Sequence, residues 1–167
     1  MKTRRNRLDP RSSLQVHLAF DSDATGWAYL TLSAGRSTHQ IKCSWLCDTL
    51  GDLIRSLTKT TAVGKDQIHA TDESHEDVLI TVRRVGEFLE LIAKKRLVAA
   101  RRENWRTLGR YRGKRLSVCS EIALAYRKAI EPLGPKGYYK VWGHSLPLDE
   151  FNAFVRTCVE KEKPVAS

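Results

Sequence analysis

Nowhere does the chain hold eighteen uninterrupted apolar residues, so no segment reads as a helix crossing a bilayer. Cysteine is scarce: Cys43, Cys47, Cys119 and Cys158 are the only ones in 167 residues, and no two stand at C-x-x-C spacing. A zinc knuckle is therefore not expected, and the four read as reduced thiols acting as small apolar side chains. The motifs that announce catalysis are also missing: no phosphate loop, dinucleotide fingerprint, G-x-S-x-G or H-E-x-x-H. The expectation is a protein that is not an enzyme, with no catalytic residue, no cofactor and no metal. Acids are in deficit, 19 Asp and Glu against 29 Lys and Arg, which leaves a formal charge of +10. The opening MKTRRNRLDPRSS is basic but lacks the apolar stretch of a secretory signal, so residues 1–12 read as a disordered basic arm and the cytoplasm as the compartment.

What is present describes a globular chain. With 41% hydrophobic and 29% charged residues, the length fits one domain with a proper core, spanning 13–160 and followed by a short tail at 161–167. Leu14, Val16, Leu18 and Phe20 alternate with polar neighbours, as in a half-buried strand. WAYLTLS and THQIKCSW repeat the alternation on either side of the turn AGRS, so the first third reads as a three-stranded antiparallel meander. In DTLGDLIRSLTK, Leu50, Leu53, Ile54 and Leu57 fall on one helical stripe, with Thr49 and Asp52 placed as a weak capping box.

The middle of the chain is ambiguous. DQIHATDESHED carries five acids and two histidines and reads as an exposed polar loop. VLITV is a strand by composition. EFLELIAKKRLVAA fits either a helix, from the spacing of Phe88, Leu91, Ile92 and Val98, or the return strand of a hairpin turning at Val85–Gly86. The last third is helical. Val118, Ile122, Ala125, Tyr126, Ala129, Ile130 and Leu133 form one stripe that ends near Pro132 and Gly134. Pro147 opens a second helix that stacks Phe151, Phe154, Val155 and Cys158, with GPKGYYKVWGH as the connection between them. Strands first and helices later predict an α+β fold: one antiparallel sheet of five or six strands packed by about three helices.

The strongest functional signal is KKRLVAARRENWRTLGRYRGKR, residues 94–115, with ten Lys or Arg against the single acid Glu103. The candidate contact residues are Arg101, Arg102, Trp105, Arg106, Arg110, Tyr111 and Arg112. Three readings fit. The cations neutralise phosphates while Trp105 or Tyr111 stacks on bases; or Arg and aromatic side chains anchor an acidic protein; or the run is solvated surface whose Arg stems cover apolar area. The acidic loop is a second candidate: His69, Asp72, His75 and Glu76 have ligand chemistry, and Asp72, Glu73, Glu76 and Asp77 offer an alternative protein contact. His17, His39 and His144 read as ordinary strand, turn and packing residues.

Two patches carry a family resemblance. SWLCDTLGDLIRSL, through Asp48, Leu50, Gly51, Asp52 and Leu53, resembles the strand-to-helix segment of a group of small, uncharacterised bacterial α+β proteins. GPKGYYKVWGHSLPLDEF, through Gly137, Tyr138, Trp142, Gly143, Pro147 and Leu148, resembles their C-terminal pattern. The resemblance implies a β-hairpin over 78–93. It transfers no catalytic residue. These proteins are similar in class to the immunity proteins of contact-dependent and polymorphic bacterial toxins, which implies a cognate protein toxin domain as partner. The basic segment 94–115 falls outside the group's pattern. The functional expectation is thus an immunity protein that neutralises a toxin without catalysis, and the alternative is a small basic RNA- or DNA-binding protein.

Overall fold

The computed structural model describes residues 13–23, 25–60, 64–71, 76–97 and 105–160. The expected basic arm (1–12), C-terminal tail (161–167) and residues 72–75 of the acidic segment lie outside the described residues; the rest of that segment, expected as an exposed loop, is strand instead, within Lys65–Thr71 and Glu76–Val85. Among the described residues, seven strands and four α-helices follow in the order β1 (Gln15–Phe20), β2 (Trp27–Ala34), β3 (Ser37–Ser44), α1 (Thr49–Thr60), β4 (Lys65–Thr71), β5 (Glu76–Val85), β6 (Phe88–Leu97), β7 (Arg106–Lys114), α2 (Arg115–Ile130), α3 (Gly134–Trp142) and α4 (Leu148–Phe154). A 3-10 turn at Trp45–Cys47 precedes α1, and a π-turn at Val155–Glu160 follows α4.

The α+β class holds, but the expected single sheet of five or six strands is corrected. The strands form two antiparallel sheets, β1-β2-β3 and β4-β5-β6-β7. The chain leaves β3 at Ser44 directly into the 3-10 turn and α1, so β4 starts a new sheet instead of extending the first. The meander behaves as its alternation predicts, with Leu18, Leu30 and Ile41 aligned across three strands and buried. The hairpin implied by the resemblance is also present: β5 and β6 pair from Glu76–Leu97 to Val85–Phe88, and Gly86 takes the left-handed φ of 63° that closes the turn.

One hydrophobic cluster joins Leu30 and Ile41 of the first sheet to Ile80, Val82 and Leu91 of the second. Leu50, Leu53, Ile54 and Leu57 of α1 are all buried in it, as their spacing predicts. Val118, Ile122, Ala125 and Tyr126 of α2 join it from the same stripe that the sequence displays, and Phe154, Val155 and Cys158 close it from the C-terminal end.

GPKGYYKVWGH is not a plain connection. Residues Gly134–Trp142 form α3, with Pro135 in its first turn and Gly143 at φ 87° as its left-handed stop. Tyr138 and Trp142, four residues apart on one helical face, are both fully buried. Among the described residues, no helix is long and apolar enough to cross a membrane.

Candidate functional site

The basic segment 94–115 divides: its first residues, to Leu97, end β6, and Arg106–Lys114 form an edge strand. Among the described residues, β7 pairs with β6 alone, at the end of the four-stranded sheet. Its period-two pattern turns Gly109 and Tyr111 inward while Arg110, Arg112 and Lys114 stay exposed. The glycines let β7 approach its neighbours: a Cβ on Gly109 would sit 2.8 Å from His39 Nδ1, and one on Gly113 would sit 2.9 Å from Val118 Cγ2.

Tyr111, expected to offer its ring to a partner, lies inside. It is 1% exposed, and its hydroxyl donates to the Leu32 carbonyl at 2.9 Å. His39 Nδ1 lies 2.5 Å from the same oxygen. The phenolic proton is committed to Leu32, so His39 supplies the N–H and the phenolic oxygen accepts. Burial pushes the Tyr111 hydroxyl up to about 12, keeping it a neutral donor. This residue ties the two sheets together and is not available as a surface anchor.

Of the other candidates, Arg110 and Arg112 stand on the outer face of the four-stranded sheet, where their partners Ile92 and Glu90 also point. Arg101 and Arg102 lie outside the described residues. Arg106 is exposed at the start of β7, opposite Lys95. Arg112 stacks over Phe88, its guanidinium carbon 4.6 Å from the ring centre. Trp105 is half-buried beneath Arg96, at 4.9 Å. Arg110 Nε lies 3.6 Å from Glu90 Oε1.

Glu90 is the centre of this face, and sequence reasoning did not single it out. Its side chain is 6% exposed, and Arg83 Nε donates to its Oε2 at 2.9 Å from across the β5–β6 pair. A carboxylate this deep is tolerable only when it is paired and hydrogen-bonded, and two arginines meet that need. Beside it, Arg96 Nε donates to Asp77 Oδ2 at 2.9 Å. Leu79 and Ile92, each 8% exposed, lie on the same outer face and outside the main core cluster. The face therefore carries a small apolar floor among charged side chains, with Arg83, Lys94, Arg96, Arg110 and Arg112 outnumbering Asp77 and Glu90.

The two patches of the resemblance meet at Asp48. This residue caps α1 from a left-handed φ of 33°. Its carboxylate accepts from Arg55 Nη2 at 2.8 Å, from Trp142 Nε1 at 3.2 Å and from the Gly51 amide at 3.4 Å. Nearby, His144 Nε2 meets the Trp45 carbonyl, and the Gly26 amide donates to the Val141 carbonyl at 2.7 Å. These contacts fix the 3-10 turn, α1 and α3 on one another, so the shared residues form a folding hub.

Cys43, Cys119 and Cys158 are buried, and Cys47 is partly exposed. Among the described residues, no three His, Cys, Asp or Glu side chains converge as metal ligands. His69 belongs to β4, while Asp72, Glu73 and His75 lie outside the described residues. His17 is exposed on β1. The fold and site together define an α+β protein with a cationic, carboxylate-braced sheet face. Comparison with protein-family models, curated proteins and solved structures finds no match.

Proposed function

We propose that the chain is a non-catalytic immunity protein that docks an acidic surface of a cognate bacterial toxin domain on its cationic sheet face, in the cytoplasm, and so blocks the toxin. One observation carries this reading: Glu90, buried at the centre of the face, braces Arg83 and Arg110 while Arg112 and Arg96 rest on aromatic rings. Guanidinium groups held this way lose less freedom on binding than solvated lysines, and they present planar forks that match carboxylates. The remaining positive charge speeds encounter with an acidic partner, while the Arg and Trp105 contacts slow its departure.

The RNA- or DNA-binding reading draws less support. Tyr111, one of the two rings expected to stack on bases, is buried. Asp77 and Glu90 also place negative charge where a phosphate chain would have to run.

The test is co-expression with a toxin domain encoded beside the gene. The protein is expected to protect cells and to co-purify with the toxin. The double reversal Arg112→Glu with Lys114→Glu should abolish both while circular dichroism shows the fold retained; Arg112→Glu sets a like charge opposite Glu90 and should itself cost about 0.2–1 kcal/mol. Protection by the double variant would move the contact to the acidic segment around Asp72 and Asp77. Salt-sensitive binding of generic RNA or duplex DNA, without toxin binding, would favour the nucleic-acid reading.

A further inference from the structure

The ladder between β6 and β7 leaves a specific set of backbone groups facing outward. The Arg115 amide donates to the Glu87 carbonyl at 2.9 Å. The register continues through Phe88–Lys114, Leu89–Gly113, Glu90–Arg112, Leu91–Tyr111 and Ile92–Arg110. Hydrogen-bonded and non-hydrogen-bonded pairs alternate in an antiparallel ladder. Counting from Glu87–Arg115, the bonded pairs are Leu89–Gly113 and Leu91–Tyr111. Glu90, on the other side of β6, then bonds to Arg83 of β5, which leaves Arg84 to bond to β4's side. The Arg84 amide does donate to the Gly64 carbonyl at 3.0 Å, so the count is consistent across the whole sheet.

The N–H and C=O groups of Arg110 and Arg112 therefore point away from β6, into the open edge of the sheet. Their side chains are exposed, and among the described residues no further strand pairs with β7. Cations on an edge strand ordinarily guard it against chance pairing. They repel cationic strands and offer nothing to neutral ones, but an acidic strand meets matched charge and unpaired backbone together.

We propose that β7 accepts a strand: an extended acidic segment of the partner protein adds to this edge, bonding to the backbone of Arg110 and Arg112. Carboxylates at every second residue of that segment lie beside the two guanidinium groups, as in cross-strand ion pairs. This rests on the cationic-face reading above and specifies how the partner is held.

The experiment separates backbone pairing from charge. The probe is a synthetic peptide of alternating glutamate and valine, about ten residues long, titrated against the full chain. Arg112→Thr and Arg112→Pro remove the same charge, but only proline removes the outward N–H, which is not part of the existing ladder. The peptide should bind the parent protein, weaken with Arg112→Thr, and weaken at least about fivefold further with Arg112→Pro, the loss expected for one hydrogen bond. Circular dichroism checks that both variants fold. If Arg112→Pro does not, amide hydrogen exchange of the parent decides: strand addition slows exchange at Arg110 and Arg112 when peptide is bound, and side-chain docking does not. Equal weakening by both folded variants, unchanged exchange, no peptide binding, or tighter binding of single-stranded RNA than of peptide would each overturn strand addition. The cationic-face reading is judged separately by toxin protection with the Arg112→Glu, Lys114→Glu protein.

Discussion

The hydroxyl of Tyr111 on β7 donates to the carbonyl of Leu32 on β2, a 2.9 Å bond between residues 79 positions apart that joins the two sheets. Tyr111→Phe keeps the ring and deletes this bond, leaving a buried carbonyl and the His39 N–H without their partner. The expected cost is about 1–3 kcal/mol, the penalty for orphaned buried polar groups. Urea denaturation should show a lower midpoint at an unchanged slope. A shift of only a few tenths would mean that water replaces the hydroxyl and that packing alone holds the sheets.

Alkaline pH should attack the same core. Burial raises Tyr111 and Cys43 each to about 12, and Tyr126 and Tyr138 shift in the same direction for the same reason. Unfolded cysteine and tyrosine release their protons near about 8.5 and about 10. Above those values the unfolded chain binds fewer protons than the folded one, so stability falls as pH rises. The contribution is fully present below the unfolded values and is lost toward about pH 12. Denaturation midpoints between about pH 8 and about pH 11 should decline, and Tyr111→Phe should decline less steeply than its parent. A flat profile would mean that these groups titrate alike in both states.

Leu53 tests the helix that covers the core. It is 2% exposed on α1, within the stripe of Leu50, Ile54 and Leu57. Leu53→Ala should cost about 2–5 kcal/mol through lost burial and the cavity left behind. Thermal and denaturant unfolding measure it, and a loss of a few tenths would place α1 at the periphery.

The parts of this fold that sequence displays are those written in hydrophobic residues. The meander and α1 carry apolar side chains at periods of two and 3.6, and both stand where those periods put them. β4 is polar apart from Ile68, which is buried, and Ala70, so it reads as a loop. The inward positions of β7 include Gly109, Tyr111 and Gly113, and glycine is poor in strands, which hides the alternation. α3 is obscured by Gly134, Pro135 and Gly137 within nine residues. At the site, Arg110 and Arg112 are exposed on a strand, whereas Tyr111 between them points the opposite way because strand neighbours alternate. Arg83 and Glu90 were findable: once the turn is set at Gly86, they become directly opposed partners across the hairpin.

Gly109 measures how tightly β7 is pressed onto the first sheet. Its φ is not in the left-handed region, so an alanine there meets no backbone strain. The obstacle is space: a Cβ would lie 2.8 Å from His39 Nδ1 and 2.9 Å from both Cε2 and the hydroxyl of Tyr111. Gly109→Ala should therefore destabilise by about 1–3 kcal/mol, the usual cost of overpacking. His39→Ala alone should cost about 0.5–1.5 kcal/mol through its lost hydrogen bond. Because His39 is one of the groups the new methyl strikes, the double variant should be less destabilised than the two single losses added together. A coupling of about 0.5–3 kcal/mol is the expected range for residues in contact. Strict additivity in denaturant unfolding would mean that β7 moves away from β3 as a unit, and that the bond from Tyr111 to Leu32 does not fix the distance between the sheets.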